Sequence, residues 1–348
     1  MDVAFPVRAH HAPVVKGVLR SQPEDFHVQE WLGFEADGDG DHFLLTVRKR
    51  GANTLWVARA LARYVKASPR DVGFSGLKDR DAVTEQAFTV PAMKMPVEAW
   101  SDFKGDGFEV IAAARHRRKI RRGAHKGNRF RIVVRDTVAD AGVLQERLEG
   151  IRALGVPNYF GPQRFGRNGG NLQVAREWFQ QGSEPRDRLQ RGFALSAARA
   201  ALFNSVLAAR VEQSTWGTLL DGDVANLDGS GSVFDVVSVD AVLRERCRTL
   251  DIHPTGPLWG RGELRTQGAV AAFESQIPEL FTGLRQGLAS AGLEQERRAL
   301  RIAVHDLAWT LDGAMLSLEF RLHRGAFATA VLNEIVAANS LAEEGDDA

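Results

Sequence analysis

Strand-like segments stand at both ends of this chain and helical segments fill its middle, and that order constrains the fold more than any other feature. Near the start, Phe43, Leu45 and Val47 alternate with His42, Leu44, Thr46 and Arg48; near the end, Leu316, Leu318, Phe320 and Leu322 alternate in the same way. A period of two over such a length marks a half-buried strand. Between them, apolar residues recur at helical spacing from Leu172 to Gln180 and from Ser196 to about Glu212, with further helices after Asp240 and Gly268. Glycine-rich, strand-like pieces such as Leu219 to Val237 separate these helices. Strands that bracket a helix-rich middle are what a parent domain interrupted by an insertion looks like, and 348 residues suffice for two such bodies. The expected class is α/β or α+β.

Shorter signals fill in the ends. Val18-Leu-Arg20 and Phe26-His-Val-Gln-Glu30 read as strands around Pro23-Glu-Asp25, and Ala87-Phe-Thr-Val90 as another. Asn53 is placed to cap a helix from Thr54 to about Lys66, with Leu55, Ala58, Leu61, Ala62 and Val65 at helical spacing before Pro69. A turn at Arg324-Gly325 leads into a helix whose buried side carries Val331, Leu332, Ile335 and Val336. The first residues are expected to be loose, and the acidic tail Glu343-Glu-Gly-Asp-Asp347 frayed.

One cysteine, Cys247, excludes an internal disulfide framework and a Cys-rich metal site. No charged start leads into an apolar core, and no later segment is expected to approach the length of a transmembrane helix, so a soluble, cytoplasmic protein is expected. The net charge is only +1, so a nucleic-acid partner would require positive charge gathered in one place. Residues 115 to 135 gather it: ten Lys or Arg and no acid, with Arg117, Arg118, Arg121 and Arg122 as candidates for backbone contact and a centre, Arg121-Arg-Gly-Ala-His-Lys-Gly-Asn128, that reads as a loop before the alternating strand Phe130, Ile132, Val134. Such a stripe suits a nucleic-acid backbone, the alternatives being a solvated face or an acidic protein partner. No feature calls for an obligate protein partner, and a monomer is expected.

The stretch Gly73-Phe-Ser-Gly-Leu-Lys-Asp-Arg-Asp-Ala-Val-Thr-Glu-Gln86 sets Asp79 between Lys78 and Arg80 after a glycine-punctuated turn. A cation close to a carboxylate favours its charged form, which suits a nucleophile or a base. Neighbours along an extended chain point to opposite sides, so at most one of Lys78 and Arg80 need contact Asp79. The plain alternative is a solvated charged turn, and Asp81 reads as a solvated neighbour. Val156-Pro-Asn-Tyr-Phe-Gly-Pro-Gln-Arg-Phe-Gly166, dense in aromatics and amides, suits base stacking and equally suits a packed loop at a domain boundary.

Five segments together resemble the TruD family of tRNA pseudouridine synthases: Pro23-Glu-Asp-Phe-His-Val-Gln-Glu30, Gly76-Leu-Lys-Asp-Arg80 with Ala82, Thr84 and Gln86, Gly127-Asn-Arg-Phe130, Asn158-Tyr-Phe-Gly-Pro-Gln-Arg-Phe-Gly166 and Arg324-Gly-Ala-Phe-Ala-Thr329. They occur in the family's order and at compatible spacing, so the resemblance spans essentially the whole chain. It implies a pseudouridine-synthase-type α+β catalytic domain, with a mixed or antiparallel sheet and flanking helices, formed by residues 1–153 and 304–340. A family-specific α/β insertion would occupy 154–303, with 341–348 as a tail. The family's aspartate falls on Asp79, its substrate-contacting phenylalanine on Phe26, its asparagine on Asn128 and its C-terminal aromatic on Phe327. Where the family commonly has Pro-x-Gly, this chain has His323-Arg-Gly325. The resemblance implies tRNA as substrate and uridine 13 as target, and no metal, nucleotide or redox cofactor is expected.

Turning uridine into pseudouridine breaks the N-glycosidic bond, rotates the uracil and rejoins it to the ribose through carbon 5. That calls for an anion beside the glycosidic bond, a pocket that retains the free base and a way to draw the nucleotide out of its stack. In the resemblance, Asp79 supplies the anion, attacking sugar or base or abstracting a sugar proton. Phe26 and Phe327 would pack on the base, and Asn128 would hydrogen-bond a nucleotide edge or the sugar. Without it, both phenylalanines read equally well as core and Asn128 as a turn residue. Two rivals compete. Asp79-Arg-Asp-Ala-Val83 fits the Asp-x-Asp-x-[Thr/Val] pattern of haloacid-dehalogenase-type phosphatases, but that pattern should follow a wholly apolar strand and Gly76-Leu-Lys78 intervenes. The other rival is a non-catalytic RNA-binding protein that docks through the basic stripe.

Overall fold

In the computed structural model, which describes residues 7–337, the first part of the chain forms eight strands. They are β1 (Lys16–Leu19), β2 (Phe26–Trp31), β3 (His42–Arg50), β4 (Gly73–Phe74), β5 (Val83–Pro91), β6 (Lys104–Gly105), β7 (Phe108–His116) and β8 (Gly127–Val138). Helices α1 (Thr54–Tyr64) and α2 (Ala141–Leu154) are interleaved with and follow these strands. Asn53 and Asp140 cap them, their side-chain oxygens accepting the amides of Trp56 and Val143. α1 stops short of Lys66, which turns the chain at φ +55°.

The middle runs through β9 (Val156–Pro157), α3 (Gly170–Gln181), α4 (Arg188–Glu212), β10 (Val224–Leu227), β11 (Val233–Asp235), α5 (Ala241–Arg248), β12 (Ile252–Leu258), α6 (Gly268–Gln276), α7 (Leu284–Ser290), β13 (Glu296–Ala299) and β14 (Arg301–Ile302). The chain closes with β15 (His305–Asp312), β16 (Met315–His323) and α8 (Ala328–Asn333). The acidic tail lies outside the described residues.

Both ends of the chain share one ten-stranded sheet, in the order β15-β16-β8-β2-β5-β3-β7-β6, with β1 on β8 and β4 on β5. β2 and β5 run parallel and the remaining pairs antiparallel, so the sheet is mixed. β16 runs the length of β8, from Leu316 opposite Val134 to His323 opposite Gly127. The middle segment builds its own four-stranded sheet, β11-β10-β12-β13. The α+β architecture with a mixed sheet is therefore as the sequence predicts.

Alternation decides the faces. Phe43, Leu45 and Val47 are fully buried against Val57 and Leu61 of α1, while Phe130, Ile132, Leu318 and Phe320 form a second core with Phe26 and Val28. Fully burying each such side chain stabilises the fold by about 1.5–3 kcal/mol.

Two expectations need correction. α4 begins at Arg188 rather than Ser196, and its 25 residues are long and apolar enough, by length and composition alone, to cross a membrane. Arg188, Arg191 and Gly192 disguise its first turns in the sequence. Half of its apolar window is buried within the protein: Ala197, Ala198 and Leu202 pack with Leu172 of α3 and Leu288 of α7, and Phe203 and Leu207 with Tyr159 and Trp216. At the C-terminal end, α8 stops at Asn333, so Ile335 and Val336 are buried off the helix. The Ile335 carbonyl accepts the amides of Val14 and Val15, each at 3.0 Å, and Val336 bridges Val15 as extended chain.

Candidate active site

The loop between β4 and β5 carries Asp79, and buried polar side chains hold its backbone. Thr54, at the start of α1, accepts the Lys78 amide at 3.0 Å and donates its hydroxyl to Gln86 Oε1 at 3.0 Å. Gln86 Nε2 in turn donates to the Gly76 carbonyl at 2.6 Å. From the other side Lys49, only 1% exposed, donates to the carbonyls of Ala52 (2.9 Å), Lys78 (3.3 Å) and Asp79 (2.6 Å). An ammonium has three protons, and here each meets a carbonyl. Burial pushes the Lys49 ammonium down to about 8 against the opposing pull of Asp79.

The Asp79 carboxylate itself has two anchors: Oδ2 accepts Arg20 Nη1 at 2.6 Å, and Oδ1 accepts the Asp81 amide at 3.0 Å. Arg20, not Lys78 or Arg80, is therefore the cation hydrogen-bonded to Asp79 among the described residues. Lys78 turns to Glu30 at 2.9 Å, both side chains being buried, and Arg80 donates to the Gly51 carbonyl at 3.3 Å. Arg20 sits in the left-handed region at φ +57°, a backbone cost found where a side chain must be aimed. Its guanidinium lies over the Phe26 ring, 4.1 Å from the centroid. The turn that delivers Phe26 is pinned by Asp25, which accepts the Gln22 amide at 3.2 Å and Arg135 Nη2 at 2.8 Å.

The other expected site residues are placed differently. Phe26 is 5% exposed and packs edge-on against Phe130, with Arg20 between its ring and Asp79 in the chain of contacts. Asn128 lies on β8 opposite Glu30, the partner of Lys78, and its Oδ1 is buried with no hydrogen-bond partner among the described residues. Phe327 stands at the entry to α8 with 42% of its surface exposed, and no ring contact joins it to the others among the described residues. Arg20 and Lys49 are the functional neighbours that sequence reasoning misses.

The basic loop packs along the Asp79 loop. The Gly123 amide donates to the Ser75 carbonyl at 2.7 Å, and the Ile120 amide to Thr89 Oγ1 at 2.9 Å. Only glycine fits at position 73, because a Cβ there would stand 2.5 Å from the Ile120 carbonyl oxygen. Of the four candidate arginines, Arg117 is already paired with Asp39 through two hydrogen bonds of 2.8 and 3.0 Å, and Arg122 stacks on Phe74 at 3.9 Å. Arg118 and Arg121 are exposed. Beside the loop lies a cleft of about 910 Å³ lined by Glu30, Trp31, Phe34, Lys126, Arg129 and Arg321, with Arg321 stacked 4.5 Å from the Trp31 ring centre. Asp79 is not in this cleft; Glu30, which holds Lys78, connects the two.

Two features of this geometry count against a haloacid-dehalogenase-type site. β4 is a two-residue strand paired antiparallel to β5, not a long apolar strand in a parallel sheet, and Asp79 lies in the loop beyond it. What the arrangement does supply is a carboxylate set by an arginine on a braced loop, flanked by a basic surface and an aromatic cleft.

Comparison with known proteins agrees over the whole described chain. The sequence model of the family tRNA pseudouridine synthase D (TruD) matches residues 5–183 and 183–335. The tRNA pseudouridine synthase D of Nitrosococcus oceani is 46% identical over 327 residues, covering 93% of this chain and 91% of its own. That of Xanthomonas campestris pv. campestris is 47% identical over 344 residues, covering 94% and 93%. In fold, the chain superimposes with a TM-score of 0.76 on a crystal structure of a candidate TruD from Methanosarcina mazei, at 20% identity and 95% coverage of both chains. A family match that takes in both halves of the divided sheet, with relatives of nearly equal length sharing almost half their residues, leaves one conclusion: the chain belongs to the tRNA pseudouridine synthase D family and is an isomerase.

Proposed function

We propose that this enzyme converts uridine 13 of tRNA to pseudouridine with Asp79 as the reacting carboxylate. The reading rests above all on the Asp79 carboxylate, oriented by Arg20 and the Asp81 amide on a loop that Lys49, Thr54 and Gln86 hold still. In the reaction the bond from C1′ to N1 breaks and a bond from C1′ to C5 forms; C5 gives up a proton and N1 gains one, so composition is unchanged. A carboxylate can serve by attacking C1′, by adding to the base or by taking a proton from the sugar, and all three routes place it beside the ribose.

In this reading Asn128 Oδ1, a buried acceptor with no protein partner, receives a uracil or ribose donor. The exposed Phe327 ring packs on the extruded base, and Phe26 acts as the platform that carries Arg20. Residues 1–153 and 304–340 form the catalytic domain and 154–303 the inserted one, and the enzyme works as a cytoplasmic monomer. The test is to incubate the protein with unmodified tRNA transcripts and map pseudouridine by reverse-transcription stops after carbodiimide treatment. A single new stop at position 13, absent from a transcript with cytidine there, is expected. Binding without product on any tRNA would leave a non-catalytic RNA-binding protein of the same fold.

A further inference from the structure

The sequence shows no metal-ligand spacing, and none is expected of it; the folded chain nevertheless brings Asp228, His305 and His323 together, with their ligating atoms all within 4.8 Å of one another. Asp228 follows β10 in the sheet of the middle segment, His305 opens β15 and His323 ends β16 of the ten-stranded sheet. His305 Nε2 and His323 Nε2 stand 3.1 and 3.2 Å from the same oxygen, Asp228 Oδ2. Yet His305 Nε2 is buried and has no aligned hydrogen-bond partner. The two imidazole nitrogens thus converge on one carboxylate oxygen, each within 3.2 Å of it. Ligands about 2.0–2.1 Å from a tetrahedral zinc ion are separated from one another by about 3.3 Å, close to the two spacings of 3.1 and 3.2 Å between the imidazole nitrogens and Asp228 Oδ2.

The surroundings fit a built site. Arg301 Nε donates to His253 Nδ1 at 3.1 Å, so the ring proton of His253 is on Nε2, which donates to Asp228 Oδ1 at 2.9 Å. That outer contact orients the carboxylate and leaves Oδ2 to the two histidines. Gly229, at φ +67°, lets the turn pass against the His323 ring, where a Cβ would come within 2.6 Å of Cε1. All three ligand side chains remain 20–27% exposed, so a fourth position is open to water.

We propose that Asp228, His305 and His323 bind one zinc-class divalent cation, which staples the middle sheet to the edge of the ten-stranded sheet. Two imidazole nitrogens and one carboxylate oxygen suit Zn²⁺ or Co²⁺ and disfavour Mg²⁺. The ion ties segments distant in sequence, so its binding adds directly to the stability of their docking. Among the described residues none of the three ligands is bonded to Asp79, and the proposal is independent of the uridine chemistry.

The experiment uses the full chain without an affinity tag, stripped with chelator and dialysed. Titration with Co²⁺ should give a visible ligand-field band that saturates at one equivalent and is displaced by Zn²⁺. Saturating Zn²⁺ should raise the melting temperature by about 3 °C or more, and millimolar Mg²⁺ should not. The His305→Gln/His323→Gln variant should lose both the band and the Zn²⁺-dependent shift. No stoichiometric band and no Zn²⁺ shift in the unaltered protein would overturn the proposal, whatever the variant does. So would a folded variant that still binds one equivalent.

Discussion

Arg20 and Asp79, 59 positions apart in the chain, meet through one hydrogen bond of 2.6 Å from Nη1 to Oδ2. Asp79→Asn keeps the shape and the Oδ1 acceptor but removes the charge that the proposed reaction would use. Single-turnover conversion should fall by on the order of 10²–10⁴ or more, with tRNA affinity nearly unchanged. The cost in stability should be about 1 kcal/mol or less, because the pair is partly exposed. Asp81 contributes only its backbone amide to Asp79, which Asp81→Asn retains, so that variant should convert near normally. An equal loss in both variants would remove Asp79 from its assigned role.

If Asp79 reacts as proposed, Arg20, which is hydrogen-bonded to it, would be a positioning residue. Arg20→Met keeps an unbranched apolar side chain but removes the guanidinium that lies over Phe26 and bonds Asp79, so the carboxylate is no longer aimed, and a misplacement of an ångström costs up to about 10²-fold. A fall of roughly 10–100-fold in kcat with KM little changed is expected, and Arg20→Lys should recover part of it. A structural role alone would lower the melting temperature of both variants and leave the rate of the folded fraction untouched.

The ten-stranded sheet was legible because its strands alternate cleanly: Phe43, Leu45 and Val47, then Leu316, Leu318, Phe320 and Leu322. The partner of Asp79 was not, since local reasoning looks to Lys78 and Arg80, while the pairing of β1 with β8, and of β2 with β5 and β8, brings Arg20 and Glu30 in from elsewhere. Lys49 did leave a trace. It follows Phe43, Leu45 and Val47 at the same period of two, so the strand that buries them also drives a lysine inward. The cluster of Asp228, His305 and His323 left none, because two sheets far apart in the chain have to dock before it exists. The left-handed turn at Arg20 and the end of α8 at Asn333 were likewise set by tertiary contacts rather than local propensity.

The basic loop should not act as four equal arginines. Arg118→Ala and Arg121→Ala should each weaken tRNA binding and lower the slope of log affinity against log salt by roughly 0.7–0.9 for each phosphate no longer neutralised. Arg117→Ala should do least, since Asp39 already neutralises that guanidinium, and Arg122→Ala should act mainly by uncovering Phe74. Titrations between about 50 and 200 mM salt separate these outcomes. Affinity and salt slope unchanged from the unaltered protein in all four variants would make the loop a solvated face.

Lys49 ties the reaction to pH through the backbone it holds. Burial has pushed this ammonium down from 10.5 to about 8. Between those limits the folded chain holds one proton fewer at this position than the unfolded chain does, so this group's contribution to stability rises with pH. Its contribution to activity should move the opposite way. A neutral amine donates two hydrogens, and three carbonyls face it, those of Ala52, Lys78 and Asp79, so one loses its donor as pH passes about 8. The loop that carries Asp79 is then held less firmly, and single-turnover rates should decline above about pH 8 while the melting temperature does not fall in step. The uracil N3 proton also titrates in alkali, so Lys49→Met is the control. It leaves buried carbonyls without a donor, should destabilise the protein by about 1–3 kcal/mol and should be slow at every pH, with the basic limb gone. A basic limb that persists unchanged in Lys49→Met would assign it to the substrate and leave Lys49 a purely structural brace.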